Sequence, residues 1–294
     1  MKKSSKMLYA LLIFLAAEAI QFVIAFGLQM VYGVMLGIRI GMKYGKGDKN
    51  ISGNIVSQIQ NAMSQNVIYL IGVIGVIVCG IVFFFWYRSE IKGEVRGSLK
   101  SVFEGKSALR LLGLGMGCQF FITGILSLLQ WYFSNLFKDY VNQMKQLTEG
   151  NVIVVILLLV FIAPITEELV FRGVILHNAS RYGSFLVANF LQAVLFGIYH
   201  LNIIQGIYAI LMGFLLGWVY YKYKTIIASM FLHMIINTSS LIVALMPSNR
   251  IYYFLFVLGG GMAIALTLNK LKLTQTLVPE EENIFYPEDL SGRV

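Results

Sequence analysis

Ionisable side chains interrupt the apolar runs of this sequence at a few positions. The stretch ITEELVFRG contains two acids and an arginine, VLFGIYHL contains a histidine, and FLHMIINT contains a histidine and an asparagine. A charge at the centre of a membrane helix costs about 2.5–3.5 kcal/mol, so such residues are functional candidates by default. The candidates are Glu18, Glu167, Glu168, Arg172, His200 and His233, with Asn237 one helical turn after the last of them.

Helix geometry predicts different roles for the two adjacent acids. Glu168 and Arg172 are four residues apart and share a helix face, where an ion pair offsets part of the cost of burial. Glu167 is rotated from Glu168 by about 100° and can point elsewhere. We therefore expect one carboxylate to be structural and its neighbour to be available for chemistry.

Two further pairs have the same four-residue spacing, Phe196 with His200 and His233 with Asn237. Each pair projects from one helix face on consecutive turns. A lone histidine in a membrane helix is more often a hydrogen-bonded packing residue, and an asparagine often bonds a neighbouring helix. Their joint occurrence within residues 164–237 favours a shared polar chamber.

The other polar residues have structural interpretations. His177 and Arg181 follow the helix that carries the acids, and we expect them to cap its C-terminal dipole. Glu18 is expected to pair with Gln21 or to line the edge of the chamber. Pro164 precedes the acids and is expected to kink or loosen their helix, which gives the carboxylates room.

The three motifs together resemble the CPBP family of intramembrane proteases, which includes the type II CAAX prenyl endopeptidases and the bacterial Abi-type proteins linked to bacteriocin immunity. The residues that carry the resemblance are EELVFR, FGIYH and HMIIN, which fit E-E-x-x-x-R, F-x-x-x-H and H-x-x-x-N in that order. The resemblance covers residues 151–246. The first 150 residues match nothing comparable and leave the substrate open.

The resemblance implies a catalytic role for four residues. Glu167 would be the general base that deprotonates water, and His200 would hold or activate that water. His233 and Asn237 would donate hydrogen bonds to the oxyanion. Glu168 and Arg172, with Phe196, would support the site and tune the catalytic carboxylate.

The use of a metal stays open at this point. Glu167, His200 and His233 would suffice for a catalytic zinc with an open fourth position. The sequence lacks H-E-x-x-H, however, and a glutamate bound to a metal cannot also serve freely as the base. This favours a metal-free glutamate mechanism slightly.

Composition identifies an integral membrane protein. Of 294 residues 58% are hydrophobic and 13% are charged, and the mean hydropathy is +0.76. The formal net charge of +9 does not indicate nucleic-acid binding, because the basic residues lie between apolar runs. Cys79 and Cys118 lie in apolar runs without a metal or disulfide pattern, so we expect both to be inert core residues.

Spanning-length apolar runs predict an all-α transmembrane bundle of about eight helices with a polar chamber. The runs lie near residues 8–38, 67–87, 111–136, 151–176, 183–200, 203–221, 225–246 and 250–268. The boundary between the fifth and sixth runs is ambiguous and allows one of them to be short or tilted. The first run is too long for a signal peptide and is expected to be retained.

The basic residues predict the orientation. If both termini are cytoplasmic, fifteen Lys and Arg face the cytoplasm and seven face the other side, as the positive-inside rule requires. The interpretation divides the chain into N-terminal helices and loops of unassigned role (1–150), a catalytic-like core (151–246), a last transmembrane helix (247–272) and a flexible acidic cytoplasmic tail (273–294). We expect a prokaryotic cell membrane.

The connecting segments carry weaker signals. Apolar residues at four-residue spacing in the segment 41–66 predict a helix lying on the bilayer, with a substrate-guiding flap as the alternative. The 88–110 loop mixes both charge signs and is expected to be a solvated face near the headgroups.

Three functions fit these observations. The first is an endopeptidase acting on a membrane-associated peptide or a lipid-modified protein; the second is a non-enzymatic immunity or interaction protein on the same scaffold. The third is a proton-coupled transporter, for which intramembrane Glu and His are also typical. We see no inverted repeat, and the acids lie in one half of the chain, which is evidence against transport.

Overall fold

The computed structural model describes residues 3–44, 65–94, 96–148, 151–181 and 184–273. Within these ranges the chain forms ten helices and no strand. The helices are α1 (Lys3–Tyr44), α2 (Gln65–Glu90), α3 (Leu99–Phe103), α4 (Gly105–Tyr132), α5 (Lys138–Thr148), α6 (Val152–Ser180), α7 (Phe185–Tyr199), α8 (Ile203–Tyr223), α9 (Ile226–Ala244) and α10 (Arg250–Leu273). Most of the predicted surface helix in 41–66 and the acidic tail lie outside the described residues.

Among the described helices, seven are long and apolar enough to cross a membrane, and α3, α5 and α7 are shorter. The predicted all-α polytopic bundle is confirmed. The predicted span 183–200 corresponds to α7, which has 15 residues and reaches only about 22 Å, less than the hydrocarbon thickness. It returns into α8 through a turn at Leu201, whose φ is 52°.

Small residues allow the helices of two pairs to pack closely. A Cβ atom on Gly124 would lie 2.7 Å from the Tyr253 carbonyl oxygen, and one on Gly260 would lie 2.6 Å from the Gly117 carbonyl oxygen, so α4 and α10 are in backbone contact. Gly197 and Gly206 bring α7 and α8 together in the same way. Close approach through small residues is the usual way in which membrane helices associate.

Helix α6 lies at the centre of the bundle. It contacts α1, α2, α7, α8 and α9, and its segment from Leu169 to Leu176 is buried throughout. One buried apolar cluster joins α6 to α1, α2, α7 and α8, and a second joins α4 to α8, α9 and α10. Cys79 and Cys118 are both free and buried in these clusters, as predicted.

His177 and Arg181 lie in the last turn and at the end of α6, and they also bind carboxylates that the sequence did not identify as their partners. Arg181 binds the last residue of α2 and a residue of the connection that follows it: its Nη1 lies 2.7 Å from Glu90 Oε2, and its Nη2 lies 2.8 Å from Glu94 Oε1. His177 Nε2 lies 3.2 Å from the same Glu94 oxygen. Fixed carboxylates give charge-assisted hydrogen bonds that are stronger than the attraction of a helix dipole. We call Glu90, Glu94, His177 and Arg181 the loop anchor.

The 88–110 loop is therefore only partly the solvated face that its mixed charges predict. The Gly97 N–H donates to the Lys224 carbonyl oxygen at 3.0 Å, which joins this loop to the end of α8. A Cβ at Gly97 would lie 2.0 Å from the Tyr223 carbonyl oxygen, so only glycine fits this contact. The loop closes the α3 end of the bundle, which we define as the end where α2, α6 and α8 terminate.

The loop anchor predicts a pH-dependent contribution to stability. Burial raises the pKa of Glu94, but the hydrogen bonds and charges of His177 and Arg181 outweigh burial, so its pKa lies below the ordinary 4.5. A lowered carboxyl pKa stabilises the fold above the unfolded pKa, and this stability is lost as the pH falls through the folded pKa. Arg181→Ala should lower the melting temperature in detergent at pH 7 by about 2–4 °C, and the difference from wild type should shrink below about pH 4.

Lys92→Ala serves as the control because Lys92 is exposed on the same loop. It should leave the melting temperature unchanged at both pH values. A pH-independent effect of Arg181→Ala would contradict an anchoring role through Glu94.

Candidate active site

The backbone of α6 is irregular where it carries the two adjacent acids. A short α-helical segment, Ala163–Glu168, lies between two π-helical segments, Leu157–Ile162 and Leu169–Leu176. Pro164 lacks an N–H and cannot continue a regular α-helical ladder, which agrees with the predicted loosening of this helix. π-Helical turns occur frequently at functional sites because they re-aim side chains.

Glu168 and Arg172 form the predicted ion pair. Arg172 Nη1 lies 2.8 Å from Glu168 Oε1, and both side chains are 0% exposed. Arg172 Nη2 donates to the Gly213 carbonyl oxygen at 3.0 Å, and the guanidinium lies 4.7 Å from the centre of the Phe196 ring. Hydrogen bonds and a cation–π contact therefore compensate a charge pair that has no access to water.

His233 lies between the two glutamates. Its Nδ1 is 2.9 Å from Glu168 Oε1, and its Nε2 is 3.6 Å from Glu167 Oε2. Glu168 Oε1 already accepts a hydrogen bond from Arg172, and a carboxylate oxygen can only accept, so Nδ1 of His233 carries a proton. The Nε2 atom therefore presents an N–H only when the ring is an imidazolium.

His200 is held by its own helix. Its Nδ1 lies 2.8 Å from the Phe196 carbonyl oxygen, which fixes the proton on Nδ1 and leaves a lone pair on Nε2 of the neutral ring. Its ring meets the Phe196 ring edge to face at 4.8 Å, and the His233 ring meets the same phenyl at 5.9 Å. Phe196 thus contacts Arg172 and both histidines.

Asn237 connects α9 to the first π-helical segment. Its Nδ2 donates to the Leu159 carbonyl oxygen at 2.8 Å, so one amide hydrogen is used and the other is available. Asn237 and Leu159 also line a cavity of about 450 Å³ toward the end of the bundle that carries α5. We call this the outer cavity.

Glu167 differs from Glu168 in its surroundings. Its side chain is 12% exposed, whereas that of Glu168 is 0% exposed. The two adjacent acids therefore point to different environments, as their helical rotation predicts.

Sequence reasoning did not find the buried amides that complete the support of Arg172. Gln192 Nε2 donates to the Gly213 carbonyl oxygen at 2.9 Å and to Asn189 Oδ1 at 2.8 Å. Asn189 Nδ2 donates to the Phe214 carbonyl oxygen at 3.0 Å. Both side chains are fully buried. Their spacing with Phe196 along one face of an apolar helix is the signal that could have identified them.

Glu18 does not make the predicted hydrogen bond with Gln21. The Gln21 amide instead pairs with the Tyr199 hydroxyl at 3.3 Å, and within the described part of the chain Glu18 Oε1 is buried without a hydrogen-bond partner. The hydrogen bonds between Gln21 and Tyr199 join α1 to α7 at the residue before His200.

The candidate metal ligands do not converge. Among the described residues, no three His, Cys, Asp or Glu side chains are arranged to hold a metal ion. Glu167, His200 and His233 therefore do not fit the zinc site that their residue types allow. His233 is turned toward two carboxylates, and His200 is bound to its own helix.

Comparisons with known proteins agree with a peptidase site. Residues 149–239 match the model of the family described as "Type II CAAX prenyl endopeptidase Rce1-like". The protein named "Putative membrane peptidase YdiL" of Bacillus subtilis (strain 168) is 27% identical over 176 residues, which is 60% of this chain and 71% of that protein. No solved structure matches the chain. The matched family range contains all the motif residues from Glu167 to Asn237.

Breaking the buried ion pair of Glu168 and Arg172 should destabilise the fold, which distinguishes this change from one that only removes catalysis. Arg172→Ala leaves the Glu168 carboxylate uncompensated, which should cost about 3–5 kcal/mol and lower the amount of folded protein in the membrane. Immunoblotting and thermal unfolding in detergent would measure both effects. The double variant Glu168→Leu/Arg172→Met removes both charges and should recover part of the loss. Wild-type stability of Arg172→Ala would contradict the structural role.

Proposed function

We propose that the chain, whose residues 149–239 match the Rce1-like family model, is an integral membrane endopeptidase of the CPBP type in which Glu167 activates a water molecule. The observation that supports this best is the position of His233 between a buried, paired carboxylate and a partly exposed one. Glu167, the proposed base, then lies next to His233, the proposed hydrogen-bond donor.

Charge balance favours an imidazolium at His233. Glu168 is balanced by Arg172 at 2.8 Å, so Glu167 and His233 form the second pair, at 3.6 Å. With Glu167 ionised and His233 protonated, the four groups have no net charge, which minimises the cost of burial. In this state His233 presents an Nε2–H to the substrate while Glu168 holds its Nδ1–H.

The proposed reaction uses four residues. Glu167 removes a proton from water, which is positioned by the lone pair of His200 Nε2, and the hydroxide attacks the scissile carbonyl carbon. The His233 Nε2–H and the second Asn237 amide hydrogen donate to the oxyanion. When the carbon–nitrogen bond breaks, Glu167 returns the proton to the leaving amine.

A metal-free version of this reaction is the one we propose. A Zn²⁺ ion would supply Lewis-acid activation of water, but the ligands available to it do not converge. In the proposed reaction the activation comes from Glu167, and the oxyanion is stabilised by His233 and Asn237.

The orientation and substrate class are also proposals. The distribution of Lys and Arg supports both termini in the cytoplasm, which puts α5 on the opposite side of the membrane. The substrate is a membrane-associated peptide or a lipid-modified protein.

Glu167→Gln should abolish proteolysis while leaving protein abundance unchanged. The substitution removes the base but keeps the side-chain volume, and loss of general-base catalysis typically reduces rates by about 10²–10⁴-fold. Mass spectrometry of new protein N-termini in cells expressing wild type or Glu167→Gln would identify the cleaved proteins. Their new termini should be absent from the variant.

Glu18→Gln is the matched control, because Glu18 is also a partly buried acid in a membrane helix and lies outside the family-matched range. It should retain the wild-type set of new termini. Equal sets in Glu167→Gln and wild type would favour the non-enzymatic scaffold.

The metal-free mechanism can be tested with a chelator and by elemental analysis. Once a substrate is identified, cleavage by the purified protein should continue in EDTA with less than a twofold change in rate. Elemental analysis should find no stoichiometric Zn²⁺. Loss of activity that added Zn²⁺ restores would overturn the metal-free mechanism.

A further inference from the structure

The outer cavity is built largely by helices that the family match does not include. Helix α4 contributes a row of uncharged polar residues at helical spacing, Gln119, Thr123, Ser127 and Gln130, and α5 contributes Tyr140 and Met144. The family match covers residues 149–239. The cavity therefore combines residues of the family-matched range with residues on both sides of it.

The lining mixes polar and apolar side chains and contains no charged residue among those described. About half of its described residues carry a hydroxyl or amide group, and none of them is Asp, Glu, Lys, Arg or His. Asn237 and Ser240 on α9 face the polar row of α4 across the cavity. Backbone amides of an extended peptide would find donors and acceptors here, whereas a charged side chain would find no opposite charge.

The cavity leads toward the proposed catalytic residues. Asn237 lies in its wall and is one helical turn from His233 on the same helix. Thr148 at the end of α5 and the residues 246–248 after α9 also line the cavity. The volume of about 450 Å³ is typical of ligand sites.

We propose that the outer cavity binds an uncharged, extended peptide segment of the substrate next to the scissile bond, and that the α4 row determines specificity. This inference rests on the proposed function and adds the substrate class and the end of the bundle from which the peptide enters. A prenyl chain would contact the apolar half of this lining but would leave its amides and hydroxyls without partners.

Tyr140 on α5 contacts Tyr208 on α8, and both residues line the outer cavity. Their rings pack edge to face with centroids 6.4 Å apart. This contact joins α5 to α8 beside the outer cavity. The cavity wall therefore combines residues from α4 and α5 with residues from α8 and α9.

Peptide binding to an inactive protein tests this proposal. Full-length Glu167→Gln protein in lipid nanodiscs would be incubated with two mixtures of N-acetylated, C-amidated decapeptides. One mixture contains only uncharged residues, and the other carries one Asp or one Lys at a central position. Mass spectrometry of the retained peptides should show at least a tenfold preference for the uncharged mixture.

Two substitutions on α4 form a matched pair. Ser127→Trp, added to Glu167→Gln, fills the cavity and should reduce retention of uncharged peptides at least tenfold. Leu129→Trp places the same indole on an exposed position of the same helix and should leave retention unchanged. Gln130→Glu provides a second test without filling the cavity, because it should increase retention of the Lys-containing peptides.

The outcomes separate this proposal from the proposed function. Equal retention in the Ser127→Trp and Leu129→Trp proteins, a preference for charged peptides, or displacement of bound peptides by farnesol would overturn the cavity assignment. Normal peptide retention without Glu167-dependent cleavage in cells would overturn the proposed function alone. Glu167-dependent cleavage with unselective retention would overturn only the cavity assignment.

Discussion

The ion pair of Glu168 and Arg172 is the interaction on which the site depends. Both groups are excluded from solvent, and a charge in that position persists only when it is paired and hydrogen-bonded. Glu168 Oε1 receives hydrogen bonds from both Arg172 and His233, so the pair also fixes which nitrogen of His233 carries a proton. The position of the second charge pair, Glu167 with His233, follows from the first.

The bundle supports this pair with groups from two further helices, α7 and α8. The Gly213 carbonyl oxygen on α8 accepts from Arg172 and from Gln192 on α7, and the Phe196 ring covers the guanidinium. A protein interior transmits changes in packing because it is closely packed. Substitutions on α7 or α8 that move this carbonyl would therefore reach the catalytic candidates through Arg172.

The two halves of the chain contribute different parts of the proposed enzyme. Helices α6, α7 and α9 carry the candidate catalytic groups, and α4 and α5 line much of the cavity that leads to them. Close packing of α4 with both α9 and α10 fixes the row of polar residues relative to Asn237. Changes in α4 and α5 can thus alter substrate choice while the charge pairs stay intact.

The sequence alone determined the helical class, the approximate spans and the residues of the candidate site, because hydrocarbon makes each exposed backbone group and each charge expensive. The spacing of Glu168 and Arg172 also predicted their pairing, since four residues bring side chains together on any helix. These inferences depend only on local geometry and the cost of burial.

The tertiary structure alone decided which groups meet across helices. The sequence did not show that His233 contacts both glutamates, that Asn189 and Gln192 support Arg172, or that Arg181 binds Glu90 and Glu94. It also allowed a zinc site at three residues whose side chains do not converge. Such contacts depend on the rotation and depth of each helix, and these are set by packing against neighbours that periodicity within one helix does not encode.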